Sequence, residues 1–236
     1  MWQMLLSRRE MVALVVDQHR LSCARIRHRT NVFPLELVGY QTTPLPPGAV
    51  TASKIFNPTL LRDSICSFAG QAVRGTRLAI SLCPPLACQS MRKCAHANPA
   101  LLCAAPDGAC GCDQQSCYLY PDNAGKFVFY SCGVPYILRV QWQLIAQQVG
   151  MPLTVLTADQ MALLGLYQAM YGRAFRQSQL ALHMAQAGGI DRVFTIDSLA
   201  RLLYVPGRLH VDRCRELHPL LTACGLFLFE ESDEAT

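Results

Sequence analysis

The apolar and polar positions of the first third of the chain fall into short runs of strand character. Met11 to Val16 (MVALVV) is continuously apolar and predicts a buried strand. Leu21 to Arg29 alternates, with Leu21, Cys23 and Ile26 among polar neighbours, and predicts a second strand. Leu35 to Thr43 predicts a third, ended by Pro44-Leu45-Pro46-Pro47-Gly48. Asp17-Gln18-His19 and Asn31 lie between them and suit the turns of a meander. The period then changes. Leu60, Leu61, Ile65, Phe68 and Val73 recur at helical spacing up to Gly75, with Asn57 as N-cap and Pro58 in the first turn. Arg77 to Leu82 (RLAISL) predicts a central strand, stopped by Pro84-Pro85.

From Cys83 to Asn123 no period is sustained, and Cys, Ala, Pro and Gly dominate; this predicts an inserted subdomain. Regular pattern resumes with a strand at Lys126 to Cys132 and a helix at Tyr136 to Val149. A strand at Pro152 to Leu156 follows, then a helix capped by Thr157 and running to about Tyr171. Leu180 to Met184, Arg192 to Ile196 and Leu199 to Val205 predict a second meander, turning at Gly188-Gly189 and Asp197-Ser198. Val211 to Cys224 predicts a helix closed by Gly225. Leu226 to Phe229 predicts a last strand before a solvated acidic tail. The domain reading is 1–82 plus 124–174, an insert at 83–123, and a shortened repeat of the first pattern at 175–236.

Composition permits this. Of 236 residues 51% are hydrophobic and 16% charged, which supplies a core and excludes a disordered chain. The formal charge of +5 is scattered. Its densest run, Arg25-Ile26-Arg27-His28-Arg29, is either a solvated strand face or a phosphate contact. Neither Met1 to Leu6 nor Met11 to Val16 approaches the ~20 apolar residues of a membrane span, and the pair does not resemble a signal peptide. A cytoplasmic location is therefore expected, unless a partner carries the chain to a membrane. The twelve cysteines then read as thiols or metal ligands.

The order of elements, with VALVVDQHRLSCARI, GYQTTPLPPGAV, TRLAISL and the stretch Phe127 to Tyr171, resembles the PilM family of type IV pilus assembly proteins. It is also similar to HofM-type competence proteins and to the cytoplasmic part of GspL of type II secretion systems. The resemblance covers about two thirds of the chain and implies an α/β, actin-like (ribonuclease H-like) duplicated fold, with a truncated second half and a Cys-rich insert. Its implied role is a non-enzymatic scaffold of a pilus, competence or type II secretion inner-membrane platform. The implied partners are inner-membrane pilus or secretion proteins, through a partner peptide, or a motor ATPase, with no nucleic acid and with a place at the inner membrane only through such partners.

Actin-like ATPases hold phosphates on two Asp-x-Gly-Ser/Thr turns, where backbone N–H groups face the anion. Here the first is Asp17-Gln18-His19-Arg20, with the acid but neither the glycine nor the hydroxyl. The second keeps Gly188 and Gly189 but has no acid, and the late Gly-rich adenosine loop is missing. The resemblance therefore implies neither ATP binding nor hydrolysis. No P-loop, G-x-G-x-x-G, H-E-x-x-H or G-x-S-x-G motif occurs. Cys94 beside His96 is a poor nucleophile pair, because adjacent residues rarely face one another productively. The alternative function rests on Cys103, Cys110, Cys112 and Cys117. Four thiolates in C-x6-C-x-C-x4-C could hold a structural zinc within a regulatory or nucleic-acid-binding module. Inert thiols are the competing reading of the same residues.

Overall fold

The computed structural model describes residues 10–29, 34–70, 76–94, 112–121, 127–171 and 190–233. The chain runs β1 (Glu10–Val16), β2 (Arg20–His28), β3 (Leu35–Pro44), α1 (Pro58–Ala69), β4 (Arg77–Leu82), β5 (Cys88–Cys94), β6 (Cys112–Pro121) and β7 (Phe127–Pro135). It continues with α2 (Tyr136–Val149), β8 (Leu153–Ala158), α3 (Asp159–Tyr171), a 3-10 turn at Ile190–Arg192, α4 (Ile196–Leu202), β9 (Leu203–Tyr204) and α5 (Leu217–Asp233).

Six strands form the main sheet in the order β8-β4-β1-β2-β3-β9. β1 pairs antiparallel with β2, from Glu10 opposite Arg27 to Val16 opposite Leu21, and β2 pairs antiparallel with β3. β4 and then β8 add parallel on the other side of β1. An antiparallel meander followed by two parallel strands is the ribonuclease H-like unit of the actin-like fold. The unbroken apolar run of β1 follows from its central place. Met11 to Val16 are all buried, so both faces of the strand are covered. On β3 the two faces are told apart by their neighbours. A Cβ at Gly39 would sit 3.6 Å from Phe68 of α1, whereas Tyr40 bonds Glu216, just before α5.

Local chemistry sets the helix ends. Asn57 Oδ1 accepts from the Leu60 N–H at 3.0 Å and Pro58 opens α1. α2 ends at Gly150, whose φ of +77° lets its N–H reach Gln147 O at 3.1 Å. Trp142 and Leu138 of α2 are fully buried in the common core.

The Cys-rich segment is more regular than its composition suggests. β5 and β6 flank β7 in a separate antiparallel sheet, β5-β7-β6, and β7 passes into α2 without a linker.

Several expectations for the last third are corrected. Residues 192–196 and 199–205 do not form strands of a second meander. Thr195 and Ser198 make a reciprocal capping box that starts α4 at Ile196, leaving only the two-residue β9, parallel to β3. The helix expected at 211–224 begins at Leu217 and does not stop at Gly225. It continues through 226–229, which are helix rather than strand. Gly225 serves close approach instead, since a Cβ there would lie 2.1 Å from Ala162 O of α3. Thr157 belongs to β8 and does not cap α3. Among the described residues, 190–233 build no second sheet; α5 packs on α3 and on β1, β2 and β4. The strand expected at Leu180 to Met184 lies outside the described residues.

Candidate site at the ends of the parallel strands

In open α/β sheets ligands bind beyond the carboxyl ends of the parallel strands. Here β1, β4 and β8 end at Val16, Leu82 and Ala158, so their next residues are Asp17, Cys83 and Asp159. The Cys83 N–H donates to Val16 O at 2.8 Å, tying the end of β4 to that of β1. α5 closes the site from the side with His218, whose Nε2 lies 3.3 Å from Asp159 Oδ2. The other Asp159 oxygen accepts from the Gln160 N–H at 2.8 Å.

The turn after β1 is closed upon itself. The Asp17 N–H donates to Arg20 O at 3.0 Å, and the His19 N–H donates to Asp17 Oδ1 at 2.7 Å. Arg20 Nε lies 3.5 Å from Asp17 Oδ2, and its Nη1 lies 3.4 Å from Glu216 Oε2. The Tyr40 hydroxyl donates to the same Glu216 oxygen at 2.5 Å. A short network thus joins the first turn, β3 and the approach to α5. Burial, then the Glu216 hydrogen bond, push the Tyr40 phenol up to about 12. Cys83 is raised further above the ordinary thiol value. Burial is the first cause, the charges of Asp159 and Asp17 add to it, and Arg20 partly offsets them.

Among the residues singled out from sequence, Asp17 lies at this site. Gly188, Gly189, Cys103 and Cys110 lie outside the described residues, as does His96. Cys112 and Cys117 are on β6, in the separate small sheet. The basic run is largely engaged within the chain. Arg25 Nε is 2.7 Å from Glu10 Oε1, Arg27 Nη2 is 2.9 Å from Glu36 Oε2, and the Arg29 guanidinium lies 3.9 Å from the Tyr204 ring centre. Sequence reasoning missed the convergence of Cys83, Asp159 and His218. The first two were findable, because each directly follows a strand that reads as parallel; His218 carries no local signal.

Among the described residues no helix is long and apolar enough to cross a membrane. No family model matches the chain, and no curated protein resembles it in sequence. Solved structures resemble it in fold. One is a chain of a PilM-PilN type IV pilus biogenesis complex, with 13% identity, a TM-score of 0.49 and coverage of 69% of this chain and 51% of that one. Another is the cytoplasmic domain of EpsL, an inner-membrane component of the type II secretion system of Vibrio cholerae. It shows 11% identity, a TM-score of 0.41 and coverage of 65% and 57%. A third is a Bacteroides thetaiotaomicron protein with an actin-like ATPase fold and unknown function, at 6% identity, a TM-score of 0.35 and coverage of 71% and 58%. This chain spans from 51% to 58% of the length of the three proteins it matches in fold.

Proposed function

We propose that the protein is a non-enzymatic scaffold at the cytoplasmic side of a type IV pilus, competence or type II secretion platform. On this reading it holds a segment of a partner protein and binds no nucleotide. The sequence resemblance supplies the setting. The observation that carries the reading is the self-closed turn at Asp17. The N–H groups of Asp17 and His19 are spent on Arg20 O and on the Asp17 carboxylate, and Arg20 holds that carboxylate. An incoming phosphate would have to displace all three contacts, with neither glycine nor hydroxyl to replace them. The arginines of β2, paired within the chain, favour this reading over a nucleic-acid module.

The surface best suited to a partner is the outer face of α2. Ile137 and Leu144, two turns apart, are 56% and 51% exposed, and Phe56 is 63% exposed. Gln141, between them on the same face, pins the Phe56 loop by accepting from the Ile55 N–H at 2.8 Å. An amphipathic partner segment would lay its apolar side there.

The test offers the purified protein immobilised cytoplasmic segments of inner-membrane pilus and secretion proteins, and titrates it separately with Mg-ATP by calorimetry. The expected result is retention by one such segment, lost in the Ile137→Asp/Leu144→Asp variant, and no heat from ATP. Micromolar ATP binding that disappears in Asp17→Asn would overturn the scaffold. Retention unchanged in the double variant would remove α2 as the docking face.

A further inference from the structure

We infer that Cys83, Asp159 and His218 form a binding site for a zinc-type divalent cation, placed where the three parallel strands end. The Cys83 Sγ, an Asp159 carboxylate oxygen and a His218 ring nitrogen all lie within 4.8 Å of one another. In tetrahedral zinc, bonds of about 2.0–2.3 Å place the ligand atoms about 3.3–3.8 Å apart. The Asp159–His218 distance of 3.3 Å already has that value. The thiol closes the remainder by a small side-chain movement.

The donors come from three separate segments, each anchored independently. Cys83 is tied to Val16 O through its own N–H. Asp159 is buried at 5% exposure; its Oδ1 accepts from the Gln160 N–H and its Oδ2 lies 3.3 Å from His218 Nε2. His218 sits one residue into α5 and is 37% exposed, which leaves a route for the ion from solvent. Such outer contacts orient ligands before the metal arrives.

The chemistry of the set is selective. One sulfur, one imidazole nitrogen and one carboxylate oxygen suit a borderline-soft ion and fit magnesium or calcium poorly. With Cys83 as thiolate and Asp159 ionised, the donors carry two negative charges and neutralise a dication in a half-enclosed site. They also offset the positive ends of α3 and α5, which by themselves disfavour a cation. On binding, the Cys83 thiol proton passes to solvent, the ring N–H of His218 resides on the nitrogen that does not face the ion, and no redox change occurs. Three protein ligands leave a fourth position for water. The bound ion would clamp the start of α5 to the ends of β4 and β8. This site is separate from the Cys112 and Cys117 strand, and it neither requires nor excludes docking on α2.

The test uses the full chain, stripped with chelator and reloaded with zinc or cobalt(II). The wild type is expected to hold one zinc per chain by elemental analysis and to melt at higher temperature with zinc. With cobalt it should show a sulfur-to-metal charge-transfer band. Cys117→Ser should keep the band, Cys83→Ser should lose it, and His218→Gln should weaken zinc binding at least about tenfold, the scale on which even supporting groups act. Circular dichroism checks folding. Should Cys83→Ser not fold, the partly exposed His218→Gln carries the same decision through its zinc affinity. Absence of zinc and of the band in the wild type overturns the site. So does wild-type affinity in His218→Gln, which would place any bound metal elsewhere.

Discussion

Replacing Gly225 by alanine adds one methyl group to the middle of α5, and two opposite outcomes are arguable from sequence and from structure. In an exposed helix interior the change would stabilise by about 1 kcal/mol, because alanine loses less backbone freedom than glycine. In this fold the new Cβ would meet Ala162 O at 2.1 Å and the Ala162 carbonyl carbon at 2.6 Å. Both are backbone atoms of α3, so no side chain can rotate away. To reach even 3.0 Å the two helices must part by about 0.9 Å. A gap of that size forfeits a quarter to a half of each dispersion contact across it. Leu221, Cys224 and Leu226, close to Gly225 on α5, are buried, so the displacement is not relieved into solvent. Overpacking of this kind costs about 1–3 kcal/mol, and its backbone origin places it at the upper end. Against the propensity gain, the net loss is about 2 kcal/mol. For a chain of this length that lowers the melting temperature by about 4–8 °C. Thermal and urea denaturation followed by circular dichroism measure it directly. A Gly225→Ala protein that melts at or above the wild-type temperature would refute the close contact of α3 and α5.

Tyr40 gives a pH dependence with a definite sign. Its phenol rises from 10.0 to about 12 in the folded protein, so the unfolded chain loses its proton first as pH increases. The stabilisation is complete below 10.0 and is lost toward about 12; urea midpoints across that window should fall less steeply in Tyr40→Phe, and identical slopes would refute the assignment. Thiol labelling should separate two classes: exposed Cys66 and Cys214 react in the native state, while Cys23 and Cys224, each raised to about 12 by burial, react only on unfolding. Native-rate labelling of Cys224 would mean that α5 is not packed on the sheet.

The parts legible in the sequence were those where local pattern and tertiary setting agree. β4 and α2 match their expected limits, and Asn57 caps α1 as its residue type demands. The first three strands differ from expectation by a residue or so at their ends. The last third was misread where an apolar run carries no period of its own. Leu226-Phe227-Leu228-Phe229 reads equally as a buried strand or as a helix covered on most sides, and only contact with α3 and the sheet decides. Gly225 looked like a stop because glycine ends helices, whereas here it admits a neighbouring backbone. Thr195 and Ser198 carried a capping signal that the alternation around them obscured. At the candidate site Asp17 was visible as part of a hairpin turn. The His218–Asp159 contact joins residues far apart in the chain, and no spacing rule reaches that far.

The packing of α5 also sets a timetable. Its apolar face covers β1, β2 and β4, which are complete once residue 82 is made, whereas α5 ends at Asp233. At about 5–20 residues per second, the intervening synthesis takes roughly 8–30 s. Throughout that interval one face of three central strands is without its cover in the nascent chain. The layer formed by these strands and α5 therefore closes only after residue 233 has been made, however early the strands themselves pair.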